Sequence, residues 1–285
     1  MIYESLLLNC GGGIISDTQK ADQYTGAAAL CIGIGGTGIA ALSDLKGKVY
    51  QQIMPDNPGD LFPRYDAIQF LGIDSDDTDY KRYHGSCRLA EDEFFSIKKD
   101  HPGVLPGDAR GKSLIRCNPS LNWMEIDRIN TLLSPVGAGG IRQMGRYMLM
   151  ERADELFRAI ERKAAAALSK RGCRDLDIYI FSGISGGTGG GCFLDTCYLV
   201  RKVVQNKGWN ARLMGFFFLP DVINGKAEVA CLGSTVAYNN SNGYAALKEL
   251  DYLMDLPAVN DWFEQNYGKQ LNLLYIYLIY FIFSS

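Results

Sequence analysis

The chain has 285 residues, of which 47% are hydrophobic and 21% charged, values typical of a soluble globular protein with one large domain or two small ones. Its formal net charge of -3 argues against a nucleic-acid-binding surface, which needs a basic excess. The 8 cysteines form no C-x-x-C pair and the chain has only 2 histidines, so we expect reduced thiols and no zinc site.

Targeting and membrane signals are missing from the pattern. The N-terminus has no basic region and carries Glu4, and its apolar stretch is too short for a signal peptide. No segment reaches the roughly 18 apolar residues that a membrane span needs. We therefore expect a cytoplasmic protein without a membrane span.

Strands and helices are predicted to alternate after a polar, Gly-containing arm over residues 1–28. Short apolar runs predict strands over residues 29–34, 67–73, 176–181 and 212–219. Apolar residues at helical spacing predict helices over residues 39–53, 141–170, 193–205 and 237–254. Residues 80–135 are predicted to be irregular and to hold an insertion. The alternation predicts an α/β fold, with a parallel sheet flanked by helices on both faces.

The first glycine segment, residues 33–38 (GIGGTG), lies between a predicted strand and a predicted helix. Its candidate binding residues are Gly33, Gly35, Gly36, Thr37 and Gly38. Backbone N–H groups without a neighbouring Cβ can approach a phosphate closely, and the helix dipole attracts the anion. The segment also satisfies the dinucleotide pattern G-x-G-x-x-G, so taken alone it does not choose between cofactors.

Two more glycine segments stand before predicted helices. The second glycine segment, residues 182–191 (SGISGGTGGG), follows a predicted strand, and the third, residues 137–140 (GAGG), opens the helix that carries Arg142 and Arg146. The candidate binding residues of these two segments are Gly183, Ser185, Gly186, Gly187, Thr188, Gly189, Gly190, Gly191, Gly137, Ala138, Gly139 and Gly140. Because such segments gather at the carboxyl ends of parallel strands, the set predicts a triphosphate held from several sides.

An acidic segment, residues 74–77, follows a predicted strand on the same edge. The carboxylates of Asp74 and Asp76 can hold a magnesium ion through water, since magnesium prefers hard oxygen ligands and gives up its water reluctantly. A solvated acidic turn explains the same residues equally well.

Together these segments resemble the tubulin/FtsZ superfamily, most closely the bacterial tubulin-like proteins. The first glycine segment resembles that superfamily's first nucleotide loop, the second its signature glycine loop, and the third the loop that meets the terminal phosphate. The acidic segment, with Asp74 and Ser75, occupies the place of the magnesium-associated loop. Pro220, in FLPD at residues 218–221, resembles the ribose-side loop, and Asn242 matches the asparagine that reads the guanine.

The resemblance implies a Rossmann-like GTPase domain over residues 29–256 that binds GTP or GDP with Mg²⁺. It also implies self-association into a cytoskeletal polymer, with subunit contacts that depend on the nucleotide. The first two glycine segments would wrap the α- and β-phosphates, and Gly139 and Gly140 would sense the γ-phosphate. Asp74 and Asp76 would act through magnesium, and Asn242 would contact the base.

The chain departs from the superfamily pattern in ways that put hydrolysis in doubt. Gly190 stands where the superfamily commonly has Ser or Thr. No acidic N-x-D loop follows residue 250, Asn260-Asp261 comes too early for one, and a second domain is missing. We interpret residues 257–285 as an incomplete C-terminal segment of a truncated chain, which binds GTP but hydrolyses it slowly.

Two other classes of function stay open. A Rossmann-type NAD-dependent oxidoreductase needs an acidic residue about 20 positions after the glycines; Asp74 lies much further on, and the second glycine segment would have no role. A non-catalytic scaffold is favoured by the apolar tail at residues 271–283, which predicts a buried strand or an edge prone to association. Larger residues at Gly187 and Gly189 would abolish nucleotide binding in a GTP-binding protein and leave the assembly of a scaffold untouched.

Overall fold

The computed structural model describes residues 26–98, 121, 123–125, 137–172, 174–226 and 233–255, together with the backbone of 264–266, 272–274 and 280–284. Residues 1–25 of the predicted arm and the Asn260-Asp261 pair lie outside the described residues.

Six parallel strands form the central sheet in the order β3-β2-β1-β4-β5-β8. The strands are β1 (Ala28–Ile34), β2 (Ile68–Asp74), β3 (Phe94–Ser96), β4 (Asp175–Gly183), β5 (Asn210–Phe218) and β8 (Tyr280–Ser284). Two more strands, β6 (Glu264–Asn266) and β7 (Asn272–Leu274), pair antiparallel as a separate ribbon. Ile34 is in register with Ile73 on one side and Ser182 on the other, so β1, β2 and β4 end at one edge of the sheet.

Helices cover both faces of this sheet. They are α1 (Gly35–Gln52), α2 (Arg142–Glu151), α3 (Ala153–Arg171), α4 (Gly187–Lys207), α5 (Pro220–Asn224) and α6 (Gly233–Asp255). Along β1, alternate side chains enter opposite cores: Cys31 packs in the cluster with Leu42 of α1, and Ile32 packs in the cluster with Leu156 of α3 and Phe193 of α4. The predicted α/β fold with a parallel sheet between helical layers is confirmed.

The region predicted to be irregular contains a strand. Three short 3₁₀ turns, at Asp79–Arg82, Gly85–Cys87 and Glu91–Glu93, lead into β3, which pairs with the end of β2. A strand of only three residues leaves no alternation for sequence reasoning to detect. Residues 99–120 of the expected insertion lie outside the described part of the chain.

The predicted helix over residues 141–170 is divided in two. Arg152 leaves helical geometry, with φ -122 and ψ 17, and separates α2 from α3. Its guanidinium donates hydrogen bonds to the carbonyl oxygens of Ser96, the last residue of β3, and of Lys98, and to Glu155. The break thus ties the helical layer to the edge of the sheet.

The C-terminal tail was expected to form a buried strand or an exposed edge. Its backbone at Tyr280–Ser284 forms β8, the outermost strand, in parallel register with β5. Among the helices of the described residues, none combines the length and the apolar character that crossing a membrane requires.

Candidate functional site

Two helices begin where adjacent central strands end. α1 starts at Gly35, directly after β1, and α4 starts at Gly187, four residues after the end of β4. Connections from β1 and β4 leave in opposite directions along the sheet, which makes this the crevice where ligands bind in open parallel sheets. Free N–H groups at both helix starts point toward the same edge and favour an anion there.

The first two glycine segments pack backbone to backbone at several positions. Gly35 has φ +69, and a Cβ at this position would lie 2.8 Å from the backbone nitrogen of Gly189. A Cβ on Gly189 would collide with the carbonyl oxygen of Gly183, and one on Gly38 with that of Phe181. Close backbone packing therefore requires several of these glycines, whatever the ligand.

The third glycine segment docks on the start of α4. A Cβ on Gly187 would lie 2.8 Å from the nitrogen of Ile141, and one on Gly145 of α2 would collide with the carbonyl oxygen of Gly187. Gly137, Gly139 and Gly140 all have positive φ, from 57 to 79, which glycine adopts without strain. The segment is thereby brought beside the other two.

Ser75 connects three parts of the site through one hydroxyl group. Its Oγ accepts a hydrogen bond from the N–H of Ala138 at 3.0 Å and lies 2.7 Å from Oγ1 of Thr188, in the first turn of α4. Ser75 is 3% exposed and Thr188 is 7% exposed. The end of β2, the third glycine segment and the second glycine segment are therefore joined by buried hydrogen bonds.

A cavity of about 410 Å³ opens between these segments, within the range of small-molecule sites. The predicted residues that line it are Gly35, Gly36, Thr37, Asp74, Ser75, Asp76, Ala138, Gly139, Gly140, Gly183, Gly186, Gly187, Thr188 and Gly189. The predicted residues that do not line it are Gly33, Gly38, Gly137, Ser185, Gly190, Gly191, Pro220 and Asn242. The structure therefore brings all three glycine segments and the acidic segment to one cavity.

Most residues of the second group pack behind the cavity wall. A Cβ on Gly190 would collide with the carbonyl oxygen of Ile184, and one on Gly191 with that of Arg142. Pro220 is the first residue of α5 and contacts α6 at Gly243, where a Cβ would collide with the proline ring. These positions hold helices close together at the back of the site.

The two carboxylates of the acidic segment have different surroundings. Asp74 is 4% exposed, and its Oδ1 accepts the N–H of Ser75 at 2.6 Å. Oδ1 of Asp76 accepts hydrogen bonds from the N–H and the hydroxyl of Thr78, at 2.8 and 2.6 Å. Burial by itself would raise the pKa of Asp76, but these hydrogen bonds and the nearby Arg82 and Lys98 lower it below its ordinary value. The carboxylate of Asp76 is therefore ionised at neutral pH.

Sequence reasoning missed several residues of the cavity wall. Ile34, Ala40, Arg82, Tyr83, Ile223 and Lys226 also line it. Arg82 and Tyr83 come from the region that was predicted to be irregular, and Ile223 lies in α5, which no periodicity indicated. Lys226 follows α5 with no motif around it. No local signal in the sequence therefore indicated Arg82 or Lys226.

A family model described as "Tubulin like" matches residues 30–275, which include the whole cavity wall. The chain belongs to the tubulin-like family. No curated protein sequence matches this tubulin-like chain.

Solved structures similar to the tubulin-like chain include archaeal proteins with low sequence identity. CetZ1 from Haloferax volcanii, a GDP-bound monomer, is 14% identical over 76% of this chain and 47% of its own, with a TM-score of 0.41. CetZ2 from Haloferax volcanii, a GTPγS-bound protofilament, is 14% identical over 67% of this chain and 39% of its own, with a TM-score of 0.36. An empty FtsZ dimer from M. jannaschii is 20% identical over 81% of this chain and 43% of its own, with a TM-score of 0.41. The chain thus spans less than half the length of these three proteins.

Proposed function

We propose that this tubulin-like chain binds GTP and GDP in the cavity between the three glycine segments. The observation that carries the proposal is the meeting of α1 and α4, whose starts at Gly35 and Gly187 both border that cavity. Two helix N-termini on one cavity favour a polyanion, because their partial positive charges and free N–H groups act together.

Two further features of the wall suit a nucleotide. Arg82 and Lys226 add positive charge to a wall that is otherwise mostly glycine and small residues. A Cβ on Gly186 would meet no atom within 4 Å, so the backbone at this point borders open space that a ligand can enter. By resemblance, the first two segments would hold the α- and β-phosphates, and Gly139 and Gly140 would contact the γ-phosphate.

A magnesium ion fits the acidic segment when the nucleotide is part of its ligand set. Asp74 and Asp76 offer hard oxygen atoms on the cavity wall, while the described residues contain no cluster of three or more metal-binding side chains. Mg²⁺ commonly binds through one or two carboxylates together with phosphate oxygens and water. It would supply charge neutralisation of the phosphates, and Asp74 and Asp76 would hold it, directly or through water.

We also propose that copies of the chain associate with one another in a nucleotide-dependent way and that hydrolysis is slow. The carboxylates on the cavity wall are those of Asp74 and Asp76, the proposed magnesium ligands. Phosphoryl transfer to water requires a positioned water molecule and charge neutralisation. Within the described residues, no additional carboxylate on this wall is placed to orient that water. We expect the isolated chain to turn over less than about one GTP per minute.

Isothermal titration of the purified chain with GTP, GDP and ATP, each with and without Mg²⁺, tests the binding proposal. We expect saturable binding of GTP and GDP, tighter with Mg²⁺, and light scattering that rises with GTP and less with GDP. Association of the chain without any nucleotide binding would instead favour the scaffold function, and rapid turnover by the monomer would contradict slow hydrolysis.

One observation keeps the dinucleotide alternative testable. The sheet has the strand order of dinucleotide-binding folds, and β2 ends at Asp74, where those folds carry their ribose-binding acid. Here, however, Oδ1 of Asp74 accepts the N–H of Ser75, and the third glycine segment forms part of the wall. A fluorescence titration with NADH discriminates: binding of NADH tighter than GTP would favour an oxidoreductase.

A further inference from the structure

Asn242 lies in the middle of α6, is half-buried, and does not line the cavity. Its Nδ2 donates one hydrogen bond to the carbonyl oxygen of Gly140 at 3.0 Å and one to that of Ser185 at 2.8 Å. Gly140 ends the third glycine segment, and Ser185 belongs to the second. One side chain therefore bridges two segments that are 45 residues apart in the sequence.

The amide nitrogen of asparagine can donate two hydrogen bonds and cannot accept one. Both hydrogens of Asn242 are used by the two carbonyl groups, so this nitrogen has none left for a base. To contact a nucleobase through Nδ2, Asn242 would have to release at least one of these carbonyl groups, which lie in a partly buried region.

Other contacts fix the position of α6 beside the same segments. Arg142, the first residue of α2, donates from Nε to the carbonyl oxygen of Gly190 at 3.0 Å, and its guanidinium pairs with Glu249 of α6. Near Asn242, Gly243 packs closely against Pro220, and Ala246 is fully buried. These contacts lie at Gly243, Ala246 and Glu249, so they hold the part of α6 that begins next to Asn242 and keep that residue beside its two carbonyl partners.

We propose that Asn242 is a positioning residue, which fixes the third glycine segment against the second before any nucleotide is present, and that it does not read the base. This inference rests on the proposed function, because aligning the two glycine segments is useful only if one ligand contacts both of them. Asn242 acts through the backbone of Gly140 and Ser185 and adds to the bridge that Ser75 makes on the other side of the third segment.

The test begins without nucleotide, by hydrogen–deuterium exchange of the full chain. Asn242→Ala removes both hydrogen bonds, and alanine is favourable in a helix. We expect amide exchange to rise about tenfold in peptides that contain Ala138, Ile141 and Gly187, because two lost hydrogen bonds lower the local opening free energy. Asn242→Leu, which keeps the approximate size and branching of the side chain but has no donors, should give the same increase.

Ser241→Ala is the matched control. Among the described residues its hydroxyl bonds only to the carbonyl oxygen of Ala237 within α6, so exchange at the two glycine segments should stay at the wild-type level. Unchanged exchange in Asn242→Ala, with a wild-type melting temperature, overturns the proposal. If the alanine variant does not melt cooperatively, Asn242→Leu provides the same comparison.

A second measurement separates positioning from base reading. Asn242→Ala should weaken the binding of GTP and of ATP by a similar factor, roughly tenfold, and leave the ratio of their dissociation constants unchanged. A base-reading residue would instead shift that ratio toward unity, which contradicts the proposal. If the wild-type chain binds no nucleotide, the proposed function fails, and the exchange result still decides whether Asn242 aligns the segments.

Discussion

Gly186 and Gly189 belong to one motif, but the structure separates their roles. Gly189 lies inside α4, where glycine costs up to about 1 kcal/mol relative to alanine. It is nevertheless needed because its neighbour is the backbone carbonyl of Gly183, which cannot move aside as a flexible side chain would. Gly186 precedes α4 with φ -82 and ψ 167, a conformation open to any residue, and a Cβ there meets nothing within 4 Å.

We therefore predict different effects from the same substitution at these two positions. Gly189→Ala should destabilise the fold by about 1–3 kcal/mol because the added methyl group collides with backbone. Gly186→Ala should change stability by less than about 1 kcal/mol, since the lost freedom of the unfolded chain is offset by alanine capping α4 less well than glycine. Urea denaturation measures both.

Of Gly186, Gly187 and Gly189, only Gly186 can take a methyl group without disturbing the packing, because that group would occupy open space beside the cavity. We expect weaker GTP binding at unchanged stability. Substitution of Gly187 or Gly189 does not separate a nucleotide site from a scaffold, since both variants also disturb the contact between segments. Equal stability losses at Gly186 and Gly189 would show that the close contact at Gly189 is not what requires glycine.

Ser75 offers a second prediction at this scale. Ser75→Ala removes the hydroxyl that joins Ala138 to Thr188, so we expect a loss of about 1–3 kcal/mol in the free energy of unfolding. Because the third glycine segment loses a hydrogen bond that holds it in place, the binding of GTP should be weakened more than the binding of GDP. Thermal melts and titrations with both nucleotides measure these effects.

Ser43→Ala is the matched control for Ser75→Ala. Ser43 is equally buried, and its hydroxyl has no hydrogen-bond partner within the described residues, so its removal should be neutral or stabilising. Similar losses in both variants would mean that the Ser75 bridge contributes nothing specific.

The sequence indicated which segments meet at the cavity but not which residues face it. Clustered glycines after buried strands are a local signal, and Gly35 and Gly187 from these clusters line the cavity. The division between wall and packing residues depends on which backbone lies opposite each glycine, as at Gly190 and Ile184. Arg82 and Lys226 reach the wall through the tertiary fold, and single basic residues in loops carry no such signal.

At the scale of elements, α2 and α3 show where periodicity is insufficient. Apolar spacing continues through Leu149, Ala153 and Leu156, and arginine is a good helix former, so the sequence favours one uninterrupted helix. The helix breaks at Arg152, where the guanidinium bonds to the carbonyl groups of Ser96, the last residue of β3, and of Lys98. Such a tertiary interaction outweighs local propensity, and β3 itself was too short to predict.

The segment before β3 is anchored to α1 by a buried ion pair. Nζ of Lys46 lies 2.5 Å from Oε2 of Glu93 and donates to the carbonyl oxygen of Arg88 at 3.0 Å. Oε2 of Glu93 also accepts the N–H of Ala90 at 2.8 Å. Burial lowers the pKa of Lys46, and the charge of Glu93 opposes this shift. The pair fixes the chain that leads from Arg82 and Tyr83 at the cavity to the edge of the sheet.

Lys46→Met should therefore cost about 3–5 kcal/mol of stability, because it leaves Glu93 buried without its cation. The double variant Lys46→Met/Glu93→Leu should lose less than the single variant, since no charge is left uncompensated. Lys48→Met is the control on the same helix: its pair with Asp44 is exposed, and its loss should change stability by less than about 1 kcal/mol. Denaturant titrations measure the free energy of unfolding of the three variants. A double variant less stable than Lys46→Met would show that the pair does not act as a unit.

For the whole molecule, the alternation of strands and helices was sufficient to predict the layers but not the identity of the ligand. Parallel strands need crossovers, and the crossovers place α1 on one face and α3 and α4 on the other. The resulting strand order is shared with dinucleotide-binding folds, so the topology alone does not decide between NAD and GTP. The third glycine segment and the family match favour GTP.

A ligand that binds only the folded chain must raise its stability, and this gives a prediction that needs no substitution. At a GTP concentration one hundred times the dissociation constant, the gain is about 2.7 kcal/mol. For a domain of this size, each kcal/mol raises the melting temperature by roughly 2–4 °C, so we expect an increase of about 5–10 °C. Removal of Mg²⁺ with EDTA should reduce the increase, because the phosphates would then lie beside the buried Asp74 and the ionised Asp76 without a bridging cation.

NADH at the same concentration serves as the comparison. An increase with NADH and none with GTP would reverse the assignment of the cavity, whereas an increase with GTP that EDTA leaves intact would keep the nucleotide and remove the acidic segment from its binding.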